Sequence, residues 1–354
     1  MRGAVRRRGR MPPVAGSPWR LTAGAGLALT AVLFLLPLLT VRGEGGGAAG
    51  ETENAPLTAT APEGQTTRAA RDRGHIVKLL QPDGTVEELT MADYLFGVVA
   101  AEMPAAFEEE ALKAQACAAR TYTVVRQASA HAAHPQADVC TDSGCCQAYV
   151  ERQAAETRWG ISAGTYSAKI SQAVADTDGL GILYQGAPIQ AVFFSSAPGQ
   201  TADAVAVWGS QVDYLKSVSS PERDEVPNYR SQVVLTAEEV RSRVLAAYPG
   251  ADLSGDPSGW FGTPASSGGA VTSIPVGGVT LTGSQVRTLF SLRSAAFTVA
   301  WDGTSFIFSV TGYGHGVGMS QYGANAMAKE GSSFRDILTW YYTGAQVDDL
   351  WAES

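Results

Sequence analysis

The stretch Leu21 to Val41 (LTAGAGLALTAVLFLLPLLTV) holds no charged residue, and it decides first what the rest of the chain can be. An apolar helix of about 20 residues crosses a hydrocarbon layer of about 30 Å, so the stretch predicts a membrane span. Arg2, Arg6, Arg7, Arg8, Arg10 and Arg20 precede it with no acidic residue among them. Such an excess holds the preceding flank in the cytoplasm and places the C-terminal remainder of the chain outside. A cleaved signal peptide competes with this reading, but the run exceeds the roughly 7 to 15 residues of a signal core and no sharp A-x-A site comes after it. Arg6-Arg7-Arg8 hints at a twin-arginine signal, which its neighbours do not strengthen. Residues 1–20 are therefore expected as a cytoplasmic basic tail, 21–41 as an anchor in the cell membrane, and the chemistry as extracytoplasmic.

Residues 42–73 are rich in Gly, Ala, Thr and Glu, with almost no large apolar side chain. They cannot bury enough surface to fold and are expected to form a tether. Residues 74–345 then make one domain, followed by a short C-terminal tail at 346–354. Without its six N-terminal arginines the chain carries 20 basic residues against 34 acidic ones, a balance of −14. That balance argues against nucleic acid and anionic polymers as partners and favours neutral polysaccharide or small polar substrates.

The domain opens with HIVKLL, a QPDG turn and TVEELT, which reads as a β-hairpin. Thr90, with Asp93 three residues on, caps a helix that ends at Glu102 because Pro104 lacks an amide donor and biases its predecessor away from the helical region. A second helix starts at Glu108, Glu109 and Glu110 and closes on Arg120 and Arg126, charges that match its dipole at both ends. Its alanines (Ala111, Ala114, Ala116, Ala118, Ala119) admit close neighbours and suit a helix in the middle of a domain.

The polar, cysteine-rich segment His131 to Tyr149 is expected to be an ordered loop, and Gly164 to Val174 a helix. GILYQGAPIQAVFFSS predicts two strands around Gly186-Ala187, leading into the hydroxyl loop Ser195 to Thr201. Tyr214 to Val218 reads as a strand, Thr236 to Tyr248 as a helix, and Gly250 to Gly269 as a flexible excursion. FTVAW and SFIFSV flank Asp302-Gly303, a pair that favours a type I′ turn. Gly312, Gly314, Gly316 and Gly318 make a loop where backbone can approach a ligand, followed by a helix from about Met319 and a last one from Ser333 to Tyr342. Irregularly mixed strands and helices give an α+β class.

Cys140, Cys145 and Cys146 lie in one loop with His131 and His134 just upstream, and Cys117 lies on the second helix. Four extracytoplasmic cysteines allow two disulfides in any of three pairings. The spacing His134-x5-Cys140-x5-Cys146 equally offers imidazole and thiolate ligands to zinc, with Cys145 the doubtful neighbour. Cys117, among alanines, is expected to be a buried apolar residue.

The stretches YLFGVVAAEMPAAFEEEALKAQACAARTY, FFSSAPGQT and GYGHGVGMSQYGANAMAKEGSSFRDILTWYYTG together resemble the stage II sporulation protein D family. Its members are membrane-anchored peptidoglycan lytic transglycosylases of spore-forming bacteria. The resemblance implies that Glu102 is the acid and base that cleaves between N-acetylmuramic acid and N-acetylglucosamine, on strands that have lost their stem peptides. It further implies a zinc site at His134, Cys140 and Cys146, and work alongside a cell-wall amidase and membrane partners during engulfment of the forespore. Arg120 is raised to a substrate-groove residue, and Ser195, Ser196, Thr201, His315, Ser320, Gln321 and Tyr322 become candidates to bind sugar. The alternative within the wider family is a non-enzymatic protein that binds peptidoglycan and stimulates an amidase.

Overall fold

The computed structural model describes residues 70–352 except 130, 131 and 224. The Leu21–Val41 span and most of the tether lie outside them, and no helix among the described residues is long and apolar enough to cross a membrane. A short helix α1 (Ala70–Gly74) leads into the hairpin β1 (Ile76–Leu80) and β2 (Val86–Thr90), antiparallel with Ile76 opposite Thr90. The end of the expected tether is therefore already folded, and Asp72 within it is fully buried.

Helix α2 (Met91–Glu102) starts where Thr90 accepts a hydrogen bond from the Asp93 amide, and it stops at Met103 in an extended conformation before Pro104. Helix α3 (Glu109–Gln127) comes next, buried on nearly every side. Its alanines allow α2, α5 (Ala163–Asp176), α9 (Gln321–Lys329), α10 (Phe334–Tyr341) and β4 (Leu180–Tyr184) to pack around it. Between these lie β3 (Val139–Cys140), which extends the first sheet in parallel with β1, and α4 (Arg152–Trp159), a helix the residue pattern did not disclose.

Two expected strands are corrected. The strand after Gly186 breaks into β5 (Ala187–Pro188) and β6 (Phe193–Phe194), because Pro188 cannot donate to a ladder. Phe193–Phe194 instead pairs in parallel with β13 (Met319–Ser320). Tyr214 lies in a turn and residues 215–218 pair in no ladder, tied to Thr201 by its amide, which donates to the Val218 carbonyl, and by its hydroxyl, which accepts from the Val218 amide. A short helix α6 (Ala204–Trp208) precedes it.

A second apolar core gathers β7 (Arg230–Thr236), α7 (Ala237–Ala247), β9 (Ala270–Val276), β10 (Val279–Thr282), α8 (Gly283–Phe290), β11 (Phe297–Trp301) and β12 (Ser305–Thr311), and β8 (Ala265–Ser267) pairs with β9 at the edge of its sheet. The expected excursion at Gly250 to Gly269 belongs to this core, with Trp260 stacked on Phe306 and Leu253 buried. The Asp302-Gly303 turn is also not type I′. Gly303 alone has positive φ (101°), and the Asp302 carboxylate accepts bonds from the amides of Thr304 and Ser305.

The expected C-terminal tail is likewise part of the fold, since β14 (Gln346–Asp349) pairs antiparallel with β4 and Trp351 stacks on His75. The domain is thus a mixed α+β unit with small sheets and two cores, running from the hairpin through β14.

Candidate active site

Glu102 stands at the C-terminal end of α2, where the turn beneath it (Val98, Val99, Met103) is buried. Its side chain is half-buried and held at both oxygens. The Ala148 amide donates to Oε1 at 2.7 Å, and the Gln321 Nε2 donates to Oε2 at 3.2 Å. Burial pushes its carboxyl above the ordinary carboxylate range, against the two hydrogen bonds, which favour the charged form. No second carboxylate among the described residues contributes to that shift.

The three segments singled out in the sequence do meet. The Ser195 carbonyl accepts from the Tyr322 amide at 3.0 Å, and Ser196 and Tyr313 exchange backbone bonds of 3.0 and 2.8 Å. Tyr322 packs edge-on to Phe107, five residues beyond Glu102, with ring centroids 4.9 Å apart. All four loop glycines take positive φ, and at Gly318 a side chain would meet the Val192 carbonyl at 2.1 Å. The helix after the loop begins at Gln321, with Ser320 as its cap, rather than at Met319. Capping fixes Gln321 in the first turn and aims it at Glu102.

Several candidate ligands of sugar turn out to serve the fold. Arg120 is not in a groove. Its guanidinium is fully buried and forms a two-pronged pair with Asp72 (Nε to Oδ1 2.8 Å, Nη2 to Oδ2 2.6 Å), with a third bond to the Leu180 carbonyl at 2.8 Å. A buried guanidinium needs such partners, and Asp72 supplies the charge from a segment the composition assigns to the tether. Thr201 is buried and accepts from the Val218 amide. Ser196 is buried too, and its hydroxyl has no hydrogen-bond partner among the described residues.

Ser320 donates to Glu222, a fully buried carboxylate that also accepts from the Ala197 amide at 2.6 Å. Glu222 thereby ties the hydroxyl loop to the cap of α9. It sits in the charged run SPERDE, which reads as solvated surface, so nothing in the sequence marks it. His315 is half-buried with both ring nitrogens engaged, Nε2 with the Phe193 carbonyl and Nδ1 with the Val317 amide. Burial pushes it down to about 4, so it is a neutral ring at physiological pH rather than a base in waiting. Its ring lies 5.8 Å from the exposed Trp208.

The cysteine loop closes on itself. His134, Cys140, Cys145 and Cys146 bring one ligand atom each within 4.8 Å of one another, so Cys145 joins the three residues expected. All four cysteines are free, which removes the disulfide alternative from this structure. The donor set suits a tetrahedral zinc ion, whose bonds of about 2.0 to 2.3 Å set neighbouring ligand atoms about 3.5 to 3.8 Å apart. Here Cys146 Sγ lies 3.3 Å from His134 Nε2 and 3.9 Å from Cys145 Sγ. The other ring nitrogen of His134 faces the Ala137 carbonyl at 3.1 Å, the kind of outer contact that fixes a ligating tautomer. Cys117 is buried as expected, with its thiol pushed up to about 11 by burial.

Fold and site together define a mixed α+β protein in which the half-buried Glu102 carboxyl, raised by burial, accepts from Ala148 and Gln321, and in which a Cys3His cluster occupies the loop that also supplies the Ala148 amide. Residues 82–184 match the family model for stage II sporulation protein, a range that spans Glu102 and the cysteine loop. The chain is 37% identical over 327 residues to stage II sporulation protein D of Bacillus subtilis (strain 168), covering 91% of this chain and 94% of that one. It is also 37% identical over 266 residues to stage II sporulation protein D of Bacillus amyloliquefaciens, covering 75% and 76%. A more distant match is the amidase enhancer of Bacillus subtilis (strain 168), 27% identical over 304 residues that cover 72% of this chain and 40% of that one. The chain belongs to the stage II sporulation protein D family.

Proposed function

We propose that the protein is a membrane-anchored lytic transglycosylase that cuts the bond between N-acetylmuramic acid and N-acetylglucosamine in peptidoglycan. The observation that carries this reading is a half-buried carboxyl held by the Ala148 amide and Gln321, whose protonated form is favoured by burial, with no second carboxylate among the described residues perturbing it. Ordinary glycoside hydrolysis uses two carboxyl groups, about 5 to 9.5 Å apart, one to protonate the leaving oxygen and one to attack or activate water. Intramolecular attack needs only one.

Glu102 would give its proton to the glycosidic oxygen as the C1–O4 bond breaks. The resulting carboxylate would then take the proton of the muramic acid C6 hydroxyl, whose oxygen closes on C1 to leave a 1,6-anhydro end. The carboxyl is restored at the end of the cycle, so one residue serves as acid and then base. The Ala148 and Gln321 donors hold the carboxylate oriented in the intermediate. Ser195, Tyr322, His315 and Trp208 border the same loops and would line the strand.

His134, Cys140, Cys145 and Cys146 would hold a zinc ion of structural type, since all four positions are filled by protein. Its service is to fix the loop whose next turn supplies the Ala148 amide. Residues 1–41 would anchor the enzyme in the cell membrane with the domain outside. The strands it meets would be prepared by a cell-wall amidase of the engulfment machinery.

The amidase enhancer match keeps a second reading in view, a protein that binds glycan without cutting it. The full chain and its Glu102→Gln variant, incubated with peptide-free glycan strands, separate the two. Shortened strands from the wild type alone support the enzyme. Strands bound but uncut by both support the enhancer.

A further inference from the structure

Glu222 is fully buried, and no arginine, lysine or histidine pairs with it among the described residues. A carboxylate taken out of water without a cation is costly unless hydrogen bonds hold it. Both of the bonds it makes reach loops of the candidate site. Oε1 accepts from the Ala197 amide at 2.6 Å and from the Ser320 hydroxyl, while Oε2 has no partner among the described residues. The segment that carries Glu222 runs beside the hydroxyl loop, bridged between Gln200 and Ser219 and tied by the Ser220 amide to the Gly199 carbonyl.

The Ser320 hydroxyl has one proton to give and lone pairs with which to accept. Its proton goes to Glu222, with the Ser195 carbonyl a longer second acceptor at 3.3 Å, and its lone pair receives the Gly323 amide at 3.2 Å. That last bond is the N-cap of α9. Glu222 therefore sets the direction in which the cap's hydroxyl points. Gln321 follows the cap immediately and donates to Glu102 Oε2 at 3.2 Å. The seat is tight, because a methyl group at Gly323 would lie 2.0 Å from Tyr341 Oη, 2.3 Å from Ser220 Oγ and 2.7 Å from Glu222 Oε2. The first turn of α9 thus rests directly on the buried carboxylate. Tyr341 faces it from α10, and its phenol, bonded to Ser220 at 2.6 Å and pushed up by burial, stays neutral.

We infer that Glu222 is a positioning residue for Glu102: through Ser320 it fixes the first turn of α9, and with it the amide that Gln321 extends to the Glu102 carboxyl. Its effect on turnover rests on the glycan-cleaving reading of Glu102, whereas its effect on the Glu102 carboxyl does not. The relay needs an acceptor at position 222. A neutral amide oxygen in the same place can receive the same two protons, with weaker bonds. Support for the fold alone would change stability and leave the Glu102 carboxyl where it is.

Full chain isotopically labelled at its glutamate carboxyls reports the Glu102 titration by NMR, the signal being the one that Glu102→Gln removes. Turnover is measured in parallel on peptide-free glycan strands. Gln321→Leu sets the reference, since loss of that donor raises the Glu102 midpoint. Glu222→Leu is expected to move the midpoint in the same direction and to lower kcat about tenfold, the scale of a hydrogen bond to a charged group, with KM little changed. Glu222→Gln should restore most of both. The double variant Glu222→Leu with Gln321→Leu should be no slower than Gln321→Leu alone, because changes within one relay do not add. A Glu102 midpoint that stays in place in Glu222→Leu overturns the inference, and so do losses in kcat that multiply in the double variant. Should Glu222→Leu fail to fold, Glu222→Asp, too short to hold Ala197 and Ser320 at once, is read against the same outcomes. If the midpoint moves as expected while the wild type leaves the strands uncut, the relay stands and only the lytic reading falls.

Discussion

Burial raises the Glu102 carboxyl above the ordinary carboxylate range and outweighs the two donors that favour its charged form. Gln321→Leu removes one of those donors while keeping the site dry, so the carboxyl should rise further. In a pH–rate profile the alkaline limb should then move to higher pH, and a shift to lower pH would contradict the assignment of Glu102 as the acid. Stability should respond as well. A carboxyl raised in the folded state costs stability as pH climbs from its unfolded value through its folded one. Glu102→Gln should therefore melt with the wild type at about pH 4 and above it at about pH 8, as linkage requires.

Arg120 makes the opposite kind of residue, structural where chemistry was expected. Its replacement by Met leaves Asp72 charged and buried, and should cost about 3 to 5 kcal/mol in denaturant titration. The double change Arg120→Met with Asp72→Leu should recover much of the loss. The pairing could not be read in advance, because Asp72 lies 48 residues away in a stretch whose composition resembles a tether. Glu222 was hidden for a related reason, since burial inside a charged run depends on contacts from Ala197 and Ser320 that are remote in sequence.

Elements whose signals are local were legible. Thr90 and Pro104 bound α2, Thr236 with Glu239 and Ser333 with Asp336 form capping boxes, and alternating residues mark β11 and β12. Elements decided by distant packing were not. Tyr214 to Val218 has strand-like residues but meets no partner ladder, and Gly250 to Gly269 looks loose until Trp260 is seen against Phe306.

The cysteine loop falls between these cases, since its spacing suggested three ligands and only the fold brings in Cys145. Purified full chain should carry about one zinc per molecule, as a four-ligand structural site predicts. Stripping it should lower both melting temperature and turnover, because Ala148 rides on that loop. Metal-free protein with undiminished melting and turnover would count against the site. At the base of the same loop, Gly97 lies so near Tyr149 that a methyl group would sit 2.2 Å from the ring. Gly97→Ala should therefore destabilise by about 1 to 3 kcal/mol in chemical unfolding, the usual cost of overpacking.

At the scale of the molecule, three sequence-distant segments meet around one carboxyl. The central α3 carries the packing, α2 and α9 supply Glu102 and Gln321, and the cysteine loop supplies the Ala148 amide. The long motifs were visible in the sequence, and their convergence needed the fold. The chemistry assigned to that convergence stands or falls on the product. Peptide-free glycan strands digested with the full chain, then resolved by mass spectrometry, should end in 1,6-anhydromuramic acid, one water lighter than a hydrolytic end. Reducing muramic acid ends in its place, or anhydro ends made equally well by Glu102→Gln, would contradict the single-carboxyl mechanism.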